Sequence, residues 1–138
     1  MSFKTNEDRY ERGLVAMHKH FGDEMDPVLK KISDASQFFK FVNVAFPYSE
    51  LYSRSVLDKK ILEIATLAAL TVQGFSLPQL RLHTKAALKF GATQDEINEI
   101  IIQMIAYCGF LAATNALLTA KAVFDEMQQD RARDSDDN

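Results

Sequence analysis

Along most of the chain, apolar residues lie in segments of helical length that are bounded by single glycines and prolines. The chain has only five glycines and three prolines, too few to supply the turns that a β-rich domain needs. The breaks fall at Gly22, Pro27, Pro47, Gly74 with Pro78, Gly91 and Gly109. The pattern therefore predicts an all-α fold.

Helix start signals divide the first half of the chain further. Asn6 can cap a first helix that runs to about His20, and the acidic residues that follow Asn6 suit the positive end of the helix dipole. Asp26, followed by proline, marks a second start. Asp34 can cap a third helix, and we expect residues 46–58 to form a loop or a short helix.

The second half of the chain carries a stronger start signal. Thr93 and Glu96 form a T-x-x-E capping box ahead of an isoleucine-rich helix. A last helix carries small residues that allow a neighbouring helix to approach closely, at positions Ala112, Ala113, Ala116 and Ala120. We expect one all-helical domain over residues 6–128, a flexible N-terminus over residues 1–5 and a polar, disordered tail over residues 129–138.

The segment 57–74, LDKKILEIATLAALTVQG, is apolar in nearly every direction around a helix. Only a narrow stripe is polar, and it contains Lys59, Glu63, Thr66 and Gln73. A helix of this kind lies inside a core or against another subunit. We therefore expect partner subunits, because one small domain does not easily cover all of these faces.

One histidine lies on an apolar helix face. The helix that follows Pro78 gathers its basic residues on one side, at Arg81, Lys85 and Lys89. His83 lies near the middle of the broad apolar arc, so we expect it to be buried and not at the rim of the arc. A buried imidazole that lacks a hydrogen-bond partner costs roughly 1–3 kcal/mol, so His83 needs a partner.

Glu63 is the predicted partner of His83. It also belongs to a largely apolar helix, and a short link at 74–78 would make the two helices an antiparallel hairpin. A carboxylate would hold the imidazole in one orientation and leave a proton donor usable near neutral pH. Two structural interpretations stay open from the residues alone: His83 as a hydrogen-bonded core histidine, and Glu63 in a surface i,i+4 pair with Lys59.

The composition excludes several classes of function. The chain has 138 residues, of which 47% are hydrophobic and 25% charged, and its net charge is -3, which is typical of one soluble domain. This charge predicts neither a nucleic-acid partner nor a membrane partner. The N-terminus is charged and lacks the apolar stretch of a signal peptide, and we expect the protein in the cytoplasm.

No metal site is predicted. Cys108 is the only cysteine, so no disulfide within the chain and no cysteine-pair metal site can form; we expect a buried, inert thiol. His18 and His20 are two positions apart and point to different sides of a helix. The chain also lacks an H-E-x-x-H motif, a phosphate-binding glycine loop and a G-x-S-x-G motif.

Three stretches carry a family resemblance: LDKKILEIATLAAL (57–70), LRLHTKAALKFGATQDEINEI (80–100), and YCGF followed by NAL (107–117). Together they resemble the carboxymuconolactone decarboxylase family, and the likeness extends from about Arg9 to Glu126. The resemblance implies an alkylhydroperoxidase-like fold, a single-domain bundle of helical hairpins that assembles as a homo-oligomeric ring. Decarboxylases of this family are hexamers, and the related alkylhydroperoxidase-type proteins are trimers or larger.

The resemblance also implies a site. His83 falls on the family's histidine, and Glu63 lies where related proteins place a glutamate on the preceding helix. The related peroxidases carry a C-x-x-C motif shortly before their histidine, but the corresponding stretch, SLPQLRLH (76–83), has no cysteine, which excludes their disulfide chemistry. The chain has Leu62 where the family often has arginine, and Leu111 where it often has proline.

The reaction that the resemblance implies is the removal of CO2 from γ-carboxymuconolactone, a step in aromatic compound catabolism. The electron pair left by CO2 flows into the lactone carbonyl, so we expect no cofactor and no metal. His83 would donate a proton or stabilise the oxyanion, and Glu63 would fix the tautomer of His83. The expected substrate-binding residues are Arg54, Arg81 and Tyr107, and either arginine can hold a substrate carboxylate.

Two other functions stay open from the sequence. One is a thiol-dependent peroxidase-like or reductase-like enzyme that uses Cys108. The other is a non-catalytic oligomeric protein that binds a small molecule, which the departures at Leu62 and Leu111 favour. A buried His83 beside Glu63 favours the decarboxylase over both alternatives.

Overall fold

The computed structural model describes residues 5–137, which form helices joined by short links. The helices are α1 (Asn6–Phe21), α2 (Asp26–Ala35), α3 (Gln37–Phe46), α4 (Lys59–Gln73), α5 (Leu77–Lys89), α6 (Gln94–Gln103) and α7 (Ile105–Asp136). A π-helical turn (Pro47–Leu51) follows α3. The described residues contain no strand, which confirms the all-α prediction.

The chain divides into two compact units, Met1–Leu57 and Asp58–Asn138. The first unit contains α1, α2, α3 and the π-helical turn, and the second contains α4 to α7. The prediction of one domain across both units stays a prediction. The predicted flexible N-terminus is described only at Thr5, because residues 1–4 lie outside the described part of the chain.

In the first unit, α1 packs against α3 and the π-helical turn, and α2 packs against α3. Gly13 allows the close approach of α1 to α3, since a Cβ at this position would lie 2.6 Å from the carbonyl oxygen of Val44. The stretch predicted as a loop or short helix begins with the π-helical turn and continues without regular structure to Asp58.

The predicted helix caps of the first unit are displaced by one or two residues. Thr5 caps α1 by accepting a backbone N–H at 3.0 Å, so Asn6 is the first helical residue. Ser36, not Asp34, caps α3, again by accepting a backbone N–H, at 3.1 Å. Asp26 lies inside α2 rather than ahead of it. Both true caps have extended backbone dihedral angles, which is the conformation that a cap requires.

In the second unit, α4 and α5 form the predicted helical hairpin. Gly74, with φ of 78°, ends α4, and α5 begins three residues later at Leu77. α7 packs against α4, α5 and α6. The core of this unit is built from all four helices and contains Leu67, Leu80, Ala87, Ala92, Ile97, Ile101, Ala113, Ala116, Ala120 and Phe124. The buried alanines of α7 agree with the predicted close helix approach.

The capping box at the start of α6 is confirmed. Thr93 Oγ1 accepts the Glu96 N–H at 3.0 Å, and Glu96 Oε2 accepts the Thr93 N–H at 2.9 Å. Lys60 on α4 donates to the other oxygen of Glu96, at 2.9 Å. The start of α6 is therefore tied to α4 by one carboxylate.

The most buried face of helix α4 contains polar side chains as well as an apolar one. Glu63, Leu67 and Thr71 are all completely buried, and they follow one another at the four-residue spacing of a single helix face. Thr71 satisfies its hydroxyl by donating to the Leu67 carbonyl at 2.7 Å. On other faces of the same helix, Ile61 and Val72 are exposed. The helix thus buries a carboxylate while it leaves isoleucine and valine in contact with solvent.

The last helix is longer than the sequence predicts. α7 continues through Asp136, so the described part of the predicted disordered tail, residues 129–137, is mostly helical, and its residues are exposed. Once a helix is nucleated, each further residue extends it at low cost. As expected, Gly109 interrupts the helix, with φ of 77° and ψ of 177°.

α7 also has a composition that bears on the membrane prediction. Among the described residues it is the one helix long and apolar enough to cross a membrane, a test that core helices of soluble proteins also pass. The structure is of a single chain, so the ring assembly stays a prediction.

Candidate active site

The carboxylate of the candidate site comes from the second turn of α4. Asp58 caps this helix, since its Oδ1 accepts the Ile61 N–H at 2.9 Å. The helix then carries Glu63 into the interior of the second unit, where it is 0% exposed. A buried carboxylate loses its hydration, which costs several kcal/mol unless hydrogen-bond donors compensate. The local question at Glu63 is therefore which donor compensates.

One partner of Glu63 is His83 on α5. Pro78 lies in the first turn of this helix, where its fixed φ favours helix formation. Nδ1 of His83 lies 2.7 Å from Oε2 of Glu63. When Glu63 is ionised, its carboxylate only accepts hydrogen bonds, and Nδ1 is then the donor. The α4–α5 hairpin thus brings together the two residues that the sequence predicts as partners.

The two partners differ in their access to solvent. The Glu63 side chain is completely buried, whereas the His83 side chain is 12% exposed. On the same helix, Leu80 and Ala87 are completely buried. His83 therefore lies closer to the rim of the core than its position on the apolar arc predicts. The arrangement hides the carboxylate and keeps part of the imidazole reachable.

The geometry decides one of the two structural interpretations. A surface i,i+4 pair does not describe Glu63, since this residue has no exposed surface; that interpretation is wrong. The hydrogen bond of His83 is what a structural core histidine would also have. The structure therefore leaves the interpretation of His83 as a hydrogen-bonded core histidine open, with 12% of its side chain exposed.

The predicted substrate-binding residue Arg81 is engaged within the chain. Its Nη1 donates to Oε1 of Glu126 on α7 at 2.8 Å, and its Nη2 donates to the other carboxylate oxygen. The hydrogen bond from the Arg81 guanidinium lowers the pKa of Glu126 from its usual range. Arg81 therefore joins α5 to α7, and a role in substrate binding stays a prediction.

The other two predicted substrate-binding residues lie on exposed positions. Tyr107 is exposed and precedes the break in α7 at Gly109. Arg54 is exposed and belongs to the first unit, where its backbone N–H donates to the Leu51 carbonyl at 3.2 Å. Substrate binding by Arg54 and Tyr107 stays a prediction.

Cys108 is half-buried rather than fully buried. Its thiol donates to the Met104 carbonyl at 3.2 Å, and it packs at the edge of the core of the second unit. The hydrogen bond satisfies the thiol locally, as expected of a cysteine that serves packing.

The histidines of α1 have different surroundings, in agreement with their spacing. His20 is buried beside the rings of Phe21 and Tyr52. His18 is exposed, and its Nε2 lies 2.7 Å from Oδ1 of Asp26. Asp23 completes a group in which three ligand atoms lie within 4.8 Å of one another. The sequence reasoning missed this group because it paired His18 with His20 instead of with residues beyond the end of α1.

The sequence also matches known proteins. A family model described as "Carboxymuconolactone decarboxylase family" matches residues 41–122, which include both Glu63 and His83. Over 124 residues the chain is 29% identical to the 4-carboxymuconolactone decarboxylase of Acinetobacter baylyi, and the alignment covers 89% of this chain and 92% of that protein.

Two further relatives match shorter parts of the chain. An uncharacterized 15.0 kDa protein from the nqo9-nqo10 intergenic region of Paracoccus denitrificans is 38% identical over 84 residues, which cover 60% of this chain and 63% of that protein. The nitrosuccinic acid decarboxylase npaB of Metarhizium robertsii is 29% identical over 80 residues, which cover 58% of this chain and 55% of that protein. Two of these three relatives are named as decarboxylases, which supports a decarboxylase-like role.

Proposed function

The chain belongs to the carboxymuconolactone decarboxylase family, and from this membership we propose that it is a cofactor-independent carboxy-lyase. Its substrate is a small carboxylated lactone of the 4-carboxymuconolactone type or a similar acid. The observation that carries the proposal is the hydrogen bond of 2.7 Å between a partly exposed His83 and a completely buried Glu63.

The proposed reaction needs only an electron sink and a proton donor. The C–C bond to the carboxylate breaks, CO2 leaves, and the electron pair moves through the ring alkene into the lactone carbonyl. The resulting dienolate then takes a proton at carbon. Because the substrate accepts the electron pair itself, the protein supplies three things: desolvation of the leaving carboxylate, stabilisation of the developing oxyanion, and the proton.

His83 is the proposed proton donor. Glu63 holds Nδ1, so Nε2 is the nitrogen that acts on the substrate, either by donating to the oxyanion or by protonating carbon. The Glu63 carboxylate fixes this tautomer and stabilises the imidazolium that is needed when Nε2 holds the proton. Solvent then returns a proton to Nε2 for the next turnover.

The names of two relatives suggest which range of acids the site accepts as substrates. One is named for 4-carboxymuconolactone and the other for nitrosuccinic acid. A nitro group next to a carboxyl-bearing carbon accepts an electron pair in the same way as a conjugated carbonyl. We therefore propose that the site accepts small acids whose own electron-withdrawing group stabilises the carbanion.

An assay of CO2 release tests the proposal. Purified protein would be incubated with 4-carboxymuconolactone and, separately, with nitrosuccinate. We expect turnover of at least one acid and a loss of about 10²–10⁴ in rate in His83→Ala, the usual contribution of a general acid. The matched control is His18→Ala, which removes an exposed imidazole from the first unit. Equal rates in wild type and His83→Ala would remove His83 from the mechanism.

A further inference from the structure

The helices of the first unit leave a cleft between α1 and α2. Both helices pack against α3, but among the described residues they do not pack against each other. The space between them, which we call the α1–α2 cleft, has a volume of about 340 Å³, is open to solvent and is lined by side chains of all three helices. It lies within the first unit, whereas Glu63 and His83 belong to the second.

The α1–α2 cleft is large enough for a small organic molecule. Pockets that bind such molecules have volumes from roughly 300 Å³ upwards. Benzene occupies an engineered cavity of about 150 Å³, so one substituted ring fits in the cleft. What binds there depends on the side chains that line it.

The lining has an apolar part that comes from α1 and α2. The α2 residues that line the cleft are at positions 26, 29, 30, 33 and 34, a spacing that places them on one helix face. On this face Leu29 is 5% exposed. From α1, Leu14 and the ring of Tyr10 line the cleft one helical turn apart, and both are half-buried. The apolar part of a ligand would be removed from water here.

Lys40 on α3 is the group in the lining that favours an anion. The side chain is half-buried, and its ammonium lies 5.8 Å from the centroid of the Tyr10 ring. Within residues 5–137, this ring and no carboxylate is the partner of the ammonium. An ammonium has three donors, and it binds a carboxylate by strong, charge-assisted hydrogen bonds.

The two carboxylates of the lining already have partners within the first unit. Asp34 pairs with Lys30 on the same helix at 3.4 Å, and both side chains are more than two-thirds exposed. Oδ1 of Asp26 lies 2.7 Å from Nε2 of His18, and these side chains are also about half exposed. Water and salt screen exposed charges of this kind, so Lys40 is the charge that a ligand inside the cleft would meet.

We propose that the α1–α2 cleft binds a small organic monocarboxylate, with its carboxylate on Lys40 and its apolar body against Leu29 and Leu14. The Ser33 hydroxyl also lines the cleft and can donate a further hydrogen bond to the carboxylate. One carboxylate matches the lining better than two, because a second would lie near Asp26 and Asp34. The inference does not depend on the proposed reaction, since it uses only residues of the first unit.

Calorimetric titration with sodium benzoate tests the charge requirement. Benzoate should bind the wild type at least about tenfold more tightly than acetate, which has no ring to bury. Lys40→Gln should weaken benzoate binding by at least about tenfold, and Lys40→Arg should restore it. Lys31→Gln is the matched control, because Lys31 is an exposed lysine of α2 that does not line the cleft. Equal affinity in the wild type and Lys40→Gln overturns the proposal, and so does tighter binding of benzylamine than of benzoate.

A second measurement locates the bound acid. In ¹H–¹⁵N spectra, benzoate should shift the amide signals of Leu29 and Ser33 in the wild type and equally in His83→Ala, and these shifts should be absent in Lys40→Gln. The dispersion of the Lys40→Gln spectrum shows whether this variant is folded, and Lys40→Arg provides the result if it is not. Benzoate shifts confined to residues 58–137, or lost in His83→Ala, place the acid in the second unit and overturn the proposal.

Discussion

At the scale of single residues, Glu63 is the group that most constrains the function of the site. It is a completely buried carboxylate on a helix whose other inward neighbours on that face are Leu67 and Thr71. Replacing a buried ion pair by apolar residues is often neutral or stabilising, so stability alone gives no reason for a carboxylate here. A role in orienting His83 does give a reason.

The variant Glu63→Gln tests this role. Glutamine keeps an oxygen that accepts the hydrogen bond from Nδ1 but lacks the charge that stabilises an imidazolium. We expect decarboxylation to slow by at least about tenfold, which corresponds to about 1.4 kcal/mol in the barrier, while the melting temperature changes little. The measurement is kcat together with thermal unfolding. If Glu63→Gln keeps the wild-type rate where His83→Ala loses it, Glu63 has only a structural role.

The thiol alternative makes a prediction at Cys108. Its Sγ donates to the Met104 carbonyl, and a serine hydroxyl can make the same hydrogen bond. We expect Cys108→Ser to keep both the fold and the decarboxylation rate, measured by CO2 release. A loss of peroxide turnover in Cys108→Ser, in a protein that turns over peroxide as wild type, would instead favour the thiol-dependent function.

The sequence located the pair of site residues but not their relative burial. Helical spacing and the short link between α4 and α5 indicated that a hairpin could bring Glu63 and His83 together, but they did not fix the distance between them. Because α4 is apolar in nearly every direction, the spacing does not say which of its faces points inward. The structure turns Glu63 inward and Ile61 outward, which only the packing of α4 against α5, α6 and α7 determines.

At the scale of helices, the sequence predicted the N-cap correctly where only one residue was a candidate for it. Thr93 and Glu96 were predicted together and form the expected reciprocal hydrogen bonds. Where two candidates lie close together, as with Thr5 and Asn6, residue preference alone does not choose, since both types are good caps. The backbone conformation decides, and it is extended at Thr5. The same reasoning explains the displaced cap at Ser36.

The capping box also makes a pH-dependent prediction. The Thr93 N–H, followed by Lys60, lowers the pKa of Glu96 below its usual value of 4.5. A lowered pKa in the folded state stabilises the fold above the unfolded pKa, and this contribution disappears as the pH falls through the folded pKa. We expect wild type to be more stable than Glu96→Gln at pH 7, and the difference to shrink as the pH falls below about 4.5.

Glu96→Gln is a sharp test because glutamine also completes a capping box, so the variant removes the charge and keeps the hydrogen-bond pattern. The measurement is urea unfolding at several pH values between 7 and 3. Glu99→Gln is the control, since it removes a carboxylate from the same helix outside the capping box, where Glu99 accepts from Gln103. A stability difference for Glu96→Gln that stays constant with pH would contradict the prediction.

At the scale of the whole molecule, hydrophobic periodicity predicts helices but not what covers them. The pattern in 57–74 indicated a buried or subunit-facing helix, and the structure leaves part of it exposed in the single chain. The part of α7 that contains the exposed residues Phe110, Leu111 and Leu118 was interpreted from the sequence only as a small-residue helix. Its outward side becomes visible once the core alanines show which side faces inward.

If the expected homo-oligomer forms through the exposed side of α7 that contains Leu111 and Leu118, thermal stability should depend on protein concentration. Only folded chains associate, so a higher protein concentration stabilises the folded state and should raise the melting temperature of the wild type. Leu111→Glu should lower the melting temperature and remove the concentration dependence, because the charge prevents the contact without touching the core. Phe75→Glu should keep the dependence. Differential scanning fluorimetry over a hundredfold range of concentration measures all three proteins, and a wild-type melting temperature that stays constant over this range contradicts the prediction.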